Sequence, residues 1–407
     1  MNLYKEKSLP LVGLAADFVK SLQISDTFGS LLYKWNPLNC RLELKSIKKF
    51  RIYNFRVGFQ IIYLLLVLVQ ISWTWKDANR MVRMHSTLFA TDFVLNITSL
   101  YLTSTKAKEI VALLNGFMSF QEKHHVNSTE TDFKKTKGYK ITKLLLFACG
   151  ATGISMPILY HLEILRNPCF PMYLGYWLSD QCGTKLGSYT QTKRTLAELL
   201  IKLSISAFSF VNWSIGFASY CFQIGVAFVL EGHCLRYFIS KYGTNIMNCS
   251  KISRIQRKKI LSFREIQLLC IHHRAIYSKY FVGASTICII SLAILCLNNS
   301  IVAAFDPGAG KQQLGFDLLY LWGTFGTGLV LVTMTGILSD VYKVSKYTRR
   351  QMSTNLVLKR NIWFKRFLKS CPIIRIYIAG NNFVDELTPL TFENFVIMET
   401  VDILLLK

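Results

Sequence analysis

Residues 391–407 read TFENFVIMETVDILLLK, an apolar stretch of membrane-helix length that carries Glu393, Glu399 and Asp402. Whether it crosses a bilayer decides between six and seven crossings, and so on which side the chain ends. At 100° per residue, Glu399 and Asp402 are i, i+3 neighbours, with Phe395 one turn before the first and Leu406 one turn after the second. One stripe therefore runs Phe395, Glu399, Asp402, Leu406, while Glu393 falls on another face with Thr400 and Lys407. Two carboxylates beside a leucine suit a water-filled cation path closed by an apolar constriction. The alternatives are acids paired with basic residues of neighbouring helices, or a segment that lies at the membrane interface.

The rest of the chain favours the crossing. It has 407 residues, 51% of them hydrophobic and only 17% charged, with a mean hydropathy of +0.31, too apolar for a soluble domain. Further apolar windows near the roughly 20 residues that cross ~30 Å of hydrocarbon fall at 55–75, 86–104, 142–163, 197–230, 275–303 and 314–338, with the last at 389–406. The fourth and fifth are long enough to project from the bilayer as continuous helices. The start, MNLYKEKSLPLVGLAADFVKSLQ, breaks its apolar run at Asp17 and Lys20. It lacks the core of a cleaved signal peptide and is expected to stay as a short amphipathic helix.

The net charge is +25. Lys and Arg number ten through Arg56, eight over 105–143, ten over 231–279 and ten over 339–388, against three over 76–85, four over 164–196, and Lys311 and Lys407 singly. This alternation is a topology signal: N-terminus in the cytoplasm, C-terminus extracellular, with attraction to anionic membrane lipids and no nucleic-acid partner. The expected fold is all-α, a polytopic plasma-membrane protein of seven transmembrane helices. Its parts are a cytoplasmic segment 1–54, spans one to six over 55–338 with cytoplasmic connections 105–141 and 231–274, a cytoplasmic segment 339–388, and the last span 389–407. Cys169 and Cys182 lie in the long outer loop, where a disulfide can form; the other nine cysteines read as buried small hydrophobes. The glycosylation patterns at Asn127 and Asn248 fall on the cytoplasmic side and are expected to stay bare.

Enzyme chemistry has no footing. His124-His125 and His272-His273 are adjacent pairs rather than an i, i+4 zinc pair, and no HExxH, CxxC, phosphate loop or Gly-x-Ser-x-Gly elbow occurs. Neither a cofactor nor a metal is expected. The intramembrane polar groups are Asp92, Lys202 and Asp317; such residues face a cavity, a partner or an ion path, or snorkel to an interface. Asp92 and Lys202 are one candidate pair. Small residues Gly323 to Gly328 suit close helix packing. Rings and sulfur at Phe89, Phe93, Met156, Tyr160, Phe208, Trp213, Tyr320, Trp322 and Phe325 concentrate in the outer half of the bundle. They suit a pocket for a small lipophilic ligand, and equally ordinary bundle core.

Seven spans with an inward N-terminus, no Asp-Arg-Tyr after the third and no Asn-Pro-x-x-Tyr in the seventh differ from a G-protein-coupled receptor. The architecture resembles the insect-type chemoreceptor channels, the arthropod odorant and gustatory receptors, over residues 30–407. Gustatory members close on Thr-Tyr, about five apolar residues, then Gln-Phe; here Thr400 matches, while Val401, Asp402 and Lys407 depart and the Phe is missing. The resemblance implies a tetrameric, non-selective cation channel opened by small molecules, a homotetramer or a heterotetramer with a co-receptor. It implies a cytoplasmic anchor that includes 350–385, a ligand pocket in the outer half among spans two, three, four and six, and a pore lined by the last span. Glu399, Thr400, Asp402, Leu405 and Leu406 are then the candidate pore and gate residues of a gustatory-like member. The rival reading is a carrier or a non-channel receptor that uses Asp92, Lys202 and the terminal acids.

Overall fold

The structure is a computed structural model and describes residues 10–23, 31–76, 80–124, 137–166, 196–247, 254–305, 314–355, 360–379 and 382–405. The glycosylation patterns, Cys169, Cys182 and Leu406 lie outside the described residues. The helices are α1 (Pro10–Gln23), α2 (Ile47–Thr74), α3 (Arg80–His124), α4 (Lys137–Arg166), α5 (Leu196–Ile224), α6 (Glu231–Met247), α7 (Arg254–His273), α8 (Gly283–Phe305), α9 (Leu314–Thr354), α10 (Ile362–Ser370) and α11 (Thr388–Leu405). π-Helical segments Gly225–Leu230 and Arg274–Val282 join α5 to α6 and α7 to α8 without a break. Each of the seven apolar windows falls on a helix.

Five of these are apolar and long enough by themselves to cross a membrane: Ile47–Thr74, Tyr139–Leu162, Val211–Lys241, Gly283–Val302 and Tyr320–Thr354. The helices over 86–104 and 389–406 fall short of that standard. Asp92 and Asn96 dilute the first, and Glu393, Glu399 and Asp402 the second.

The 28-residue α2 shows the solvent for which this bundle is built. Its outward face carries Phe55, Ile62, Leu65 and Trp73, all exposed, while Tyr53, Gln60, Tyr63 and Gln70 are buried with Val57 and Val67. Apolar outside and polar inside is the reverse of a water-soluble helix. The inward polar groups find one another, because in an apolar medium an unpaired one is costly. Ser219 on α5 gathers Ser99 at 3.1 Å and Thr103 at 3.1 Å from α3, and the Tyr53 hydroxyl at 3.4 Å from α2. The Gln223 amide donates to Thr103 Oγ1 at 2.7 Å.

Two short hairpins, unanticipated in the sequence, are the strands among the described residues. β1 (Tyr33–Asn36) pairs antiparallel with β2 (Arg41–Leu44), and β3 (Tyr377–Ala379) with β4 (Asn382–Phe383). In the first turn Asn36 Oδ1 accepts from Leu38 N at 2.9 Å, and Cys40 takes φ 50°. Arg41 then ties the hairpin to Glu122 on α3 at 2.6 Å. Strands of two to four residues carry too little alternation to stand out in an apolar sequence.

The buried face of α1 carries Leu14, Ala15, Phe18 and Val19, and Asp17 and Lys20 stay exposed, so this is the amphipathic helix the sequence pointed to. Phe18 fits over Gly225, where a Cβ would stand 2.2 Å from its Cζ. Gly225→Ala should therefore displace Phe18 and cost about 1–3 kcal/mol as an overpacking change, read as a lower thermal midpoint in detergent. Combined with Phe18→Ala, the losses should fall short of additive.

The end of α7 meets the first π-helical segment. His273 Nε2 lies 3.0 Å from the Ala227 carbonyl and 3.5 Å from the Glu231 carboxyl, with both side chains fully buried. A carbonyl only accepts, so Nε2 carries the hydrogen. Burial pushes the His273 pKa down to about 4, against the opposing hydrogen bond to the Ala227 carbonyl. Between pH 6.5 and 4 the unfolded chain then binds more protons than the folded one, and stability falls as pH falls through that window. This contribution, equivalent to roughly 1 kcal/mol between pH 7.5 and 5.5, is read as the difference between wild type and His273→Gln in how the thermal midpoint in detergent moves with pH.

Candidate functional site

Five helices line a cavity of about 80 Å³ in the half of the bundle remote from the β1–β2 hairpin. α3 supplies Leu88 and Asp92, α4 supplies Met156 and Tyr160, and α5 supplies Phe217 and Tyr220; α8 adds Ile289 and Cys296, and α9 adds Trp322 and Gly326. The spacing on each helix is a single face at i, i+3, i+4, which turns one stripe from every helix toward a shared space. Asp92 is the only carboxylate in the lining. It is buried, and the Tyr160 hydroxyl donates to its Oδ2 at 3.0 Å.

Behind this pair stands a wall of rings. Tyr160 stacks on Trp213 at 4.1 Å and 11°, and Trp213 takes Phe89 and Phe93 edge-on at 5.0 and 5.5 Å. Phe93 meets Tyr63 of α2 at 5.3 Å, and Trp213 stacks on Phe217 at 5.5 Å. Offset and edge-to-face pairs of this kind contribute beyond their buried area, so the wall holds Tyr160 where its hydroxyl reaches Asp92.

The small residues of α9 do two different jobs. At Gly323 a Cβ would lie 2.7 Å from Cys296 Sγ, so a close α8–α9 approach requires glycine there. At Gly326 and Gly328 a Cβ would meet nothing within 4 Å; close packing does not explain them, and Gly326 leaves part of the cavity open.

The last helix, α11, packs against α8 and α9. Val396 and Thr400 are buried, with Phe392 and Ile403 against the core, and the Thr400 hydroxyl is tied to the Val396 carbonyl at 2.7 Å. Glu399 is half-buried at the edge of that seam; Phe395, Asp402 and Leu405 are exposed, as are Ile397, Met398 and Val401 on the far side.

No protein-family model matches the sequence, and no curated protein matches it. The fold does match solved structures. Olfactory receptor OR5 of the insect Machilis hrabei, in complex with eugenol, superposes with a TM-score of 0.62 over 98% of this chain and 100% of that one, at 12% identity. The structure of OR5 described without eugenol gives 0.61 over 96% and 97%, at 14% identity. The fold is that of an insect olfactory receptor.

In this olfactory-receptor fold, Met156, Tyr160 and Trp322 line the cavity, and Phe89, Phe93 and Trp213 form the wall behind it. Tyr320 is buried beside the cavity, its hydroxyl 3.0 Å from His85 Nδ1. Two residues are not brought to the site: Phe208 pairs with Phe59 at 5.5 Å, both rings partly exposed at the surface, and Phe325 is 68% exposed. The Lys202 side chain lies outside the described residues; among those described, Asp92 is bonded by Tyr160. Thr400 faces the protomer core rather than the acidic stripe. The lining residues Phe217 and Tyr220 were missed although they stand at i+4 and i+7 from Trp213, a same-face spacing that points to them. His85 carried no signal, since its partner is 235 residues away.

Proposed function

We propose that this protein is a chemosensory receptor, a ligand-gated cation channel of seven spans that small odorant or tastant molecules open. The observation that carries this reading is the cavity among α3, α4, α5, α8 and α9, with apolar and aromatic walls and one tyrosine-bonded carboxyl, in an insect olfactory receptor fold. An apolar enclosure with one or two polar groups suits a small lipophilic molecule bearing a single hydroxyl or carbonyl. A ligand would favour the conformation in which this cavity best fits it.

The Lys and Arg distribution supports a cytoplasmic N-terminus and an odd number of crossings. The exposed apolar and acidic faces of α11 support an assembly in which copies, of this chain or of a co-receptor, set Glu399 and Asp402 about a shared axis, with Leu405 and Leu406 as the constriction.

The test is whole-cell current during a broad panel of small molecules. Ligand-evoked current is expected, with steady leak in Leu406→Ala. Tracer uptake without current would establish a carrier instead. Gly326→Val should fill open space in the cavity, reducing evoked current tenfold or more while surface expression and thermal midpoint stay near wild type; unchanged dose–response curves would place the ligand elsewhere.

A further inference from the structure

At the end of the bundle that carries the β1–β2 hairpin, a second cleft of about 260 Å³ opens between α7, α9 and the strand-like segment 371–377. Four arginines line it, Arg264, Arg274, Arg349 and Arg375, and no acidic residue does. The cleft is built rather than incidental. Arg264 Nη1 donates to the Ser370 carbonyl at 2.9 Å and to Gln267 Oε1 at 3.0 Å, while Gln267 Nε2 donates to the Pro372 carbonyl at 3.0 Å. Ser345 of α9 accepts from Ile374 N at 2.8 Å, so the segment is pinned to both helices. Arg274 lies flat over Tyr377 with its Cζ 3.6 Å from the ring centroid, and Arg375 lies over Phe383 at 4.5 Å.

Arg264 is held by a carbonyl and Arg274 and Arg375 by rings, and no salt bridge among the described residues engages any of the four. Elsewhere acids take up some of the basic groups: Arg41 meets Glu122 at 2.6 Å, Arg236 meets Asp340 at 3.0 Å, and Lys346 meets Glu386 at 3.4 Å. Glu265, next to Arg264 in sequence, turns away to Lys123 at 2.6 Å. Four guanidiniums with no counter-charge among the described residues repel one another, and a stacked guanidinium keeps its edge donors for a ligand in its plane.

We propose that this cleft binds a polyphosphorylated anion, the headgroup of a phosphorylated inositol lipid or its soluble counterpart. Guanidiniums pair bidentately with phosphate oxygens, and a single carboxylate would leave three positive charges unmatched, whereas two or more phosphates offset all four. Occupation would join α7, which continues into α8, to α9 and to the segment that leads into α11, so the anion would brace the last helix from below.

The test uses purified full-length protein and reads binding rather than current, so its result is independent of the channel reading. Fluorescent inositol trisphosphate reports the soluble source. Nanodiscs containing phosphatidylinositol bisphosphate, against phosphatidylserine nanodiscs, report the lipid source. Binding in either arm is expected, weakened at least tenfold in Arg274→Gln/Arg349→Gln. In wild-type protein, inositol trisphosphate or the bisphosphate lipid should shield Arg274 and Arg349 from phenylglyoxal but leave the reactivity of exposed Arg366 unchanged, a readout that needs no variant to fold. Equal binding by wild type and the double variant, no preference over phosphatidylserine together with no inositol trisphosphate binding, or uniform arginine reactivity with and without ligand would each overturn the proposal.

Discussion

Replacing Trp213 by alanine should cost about 3–5 kcal/mol, the range for deleting a buried large aromatic side chain, and should abolish ligand-evoked current even in the molecules that reach the surface. Trp213 is buried and touches Phe89, Phe93, Tyr160 and Phe217. Its removal takes away the stacking partner that holds Tyr160 at Asp92. Three substitutions divide these effects. Tyr160→Phe keeps the ring and removes the hydroxyl, leaving the buried Asp92 carboxyl without its 3.0 Å donor; it should cost about 1–3 kcal/mol and change ligand selectivity more than stability. Phe325→Ala, at a 68% exposed ring, should change the thermal midpoint little. Phe208→Ala should resemble Phe325→Ala rather than Trp213→Ala, and a severe loss at either surface ring would show that it contacts a partner subunit.

Neutralising the acids of α11 is expected to give the largest change in conduction. A carboxylate 6 Å from a permeating cation in water contributes about 0.7 kcal/mol, and a ring of four about 3 kcal/mol before salt screening reduces it. Glu399→Gln/Asp402→Asn should then lower cation-over-anion permeability about tenfold, seen as a shifted reversal potential in dilute external salt. Half-buried Glu399 lies at the seam with the neighbouring helices and exposed Asp402 beyond it, so Asp402→Asn alone should carry the larger part without loss of expression. A reversal potential unmoved by the double change would remove α11 from the ion path. Thr400→Val should instead act through packing, because its hydroxyl is buried on the protomer side.

Much of the fold was legible because membrane helices are read from length and polarity alone. The windows at 55–75 and 314–338 landed on α2 and α9, and the amphipathic start landed on α1. The weaker windows also landed on helices, but Asp92 and the acids of α11 were harder to interpret, because a carboxylate in an apolar run is tolerable only if tertiary structure gives it a donor or water. For Asp92 that donor is Tyr160 from another helix. The β1–β2 hairpin went unseen because its stability comes from Asn115 and Glu122 of α3 rather than from its own four-residue strands.

By itself the sequence determined where the apolar helices run and that the basic residues alternate between their connections, but not that α3 runs on to His124 and α9 to Thr354. The tertiary structure alone decided which face of each helix turns inward. Trp213 and Phe208 are five residues apart on α5, about 140° around its axis, and one anchors the cavity wall while the other meets Phe59 at the surface. In water, burial separates apolar from polar side chains, and periodicity reveals the inner face. In lipid both faces of an apolar helix meet apolar surroundings, so that signal fades, and the pairing of side chains across helices is settled by packing and by the few polar groups that must find partners.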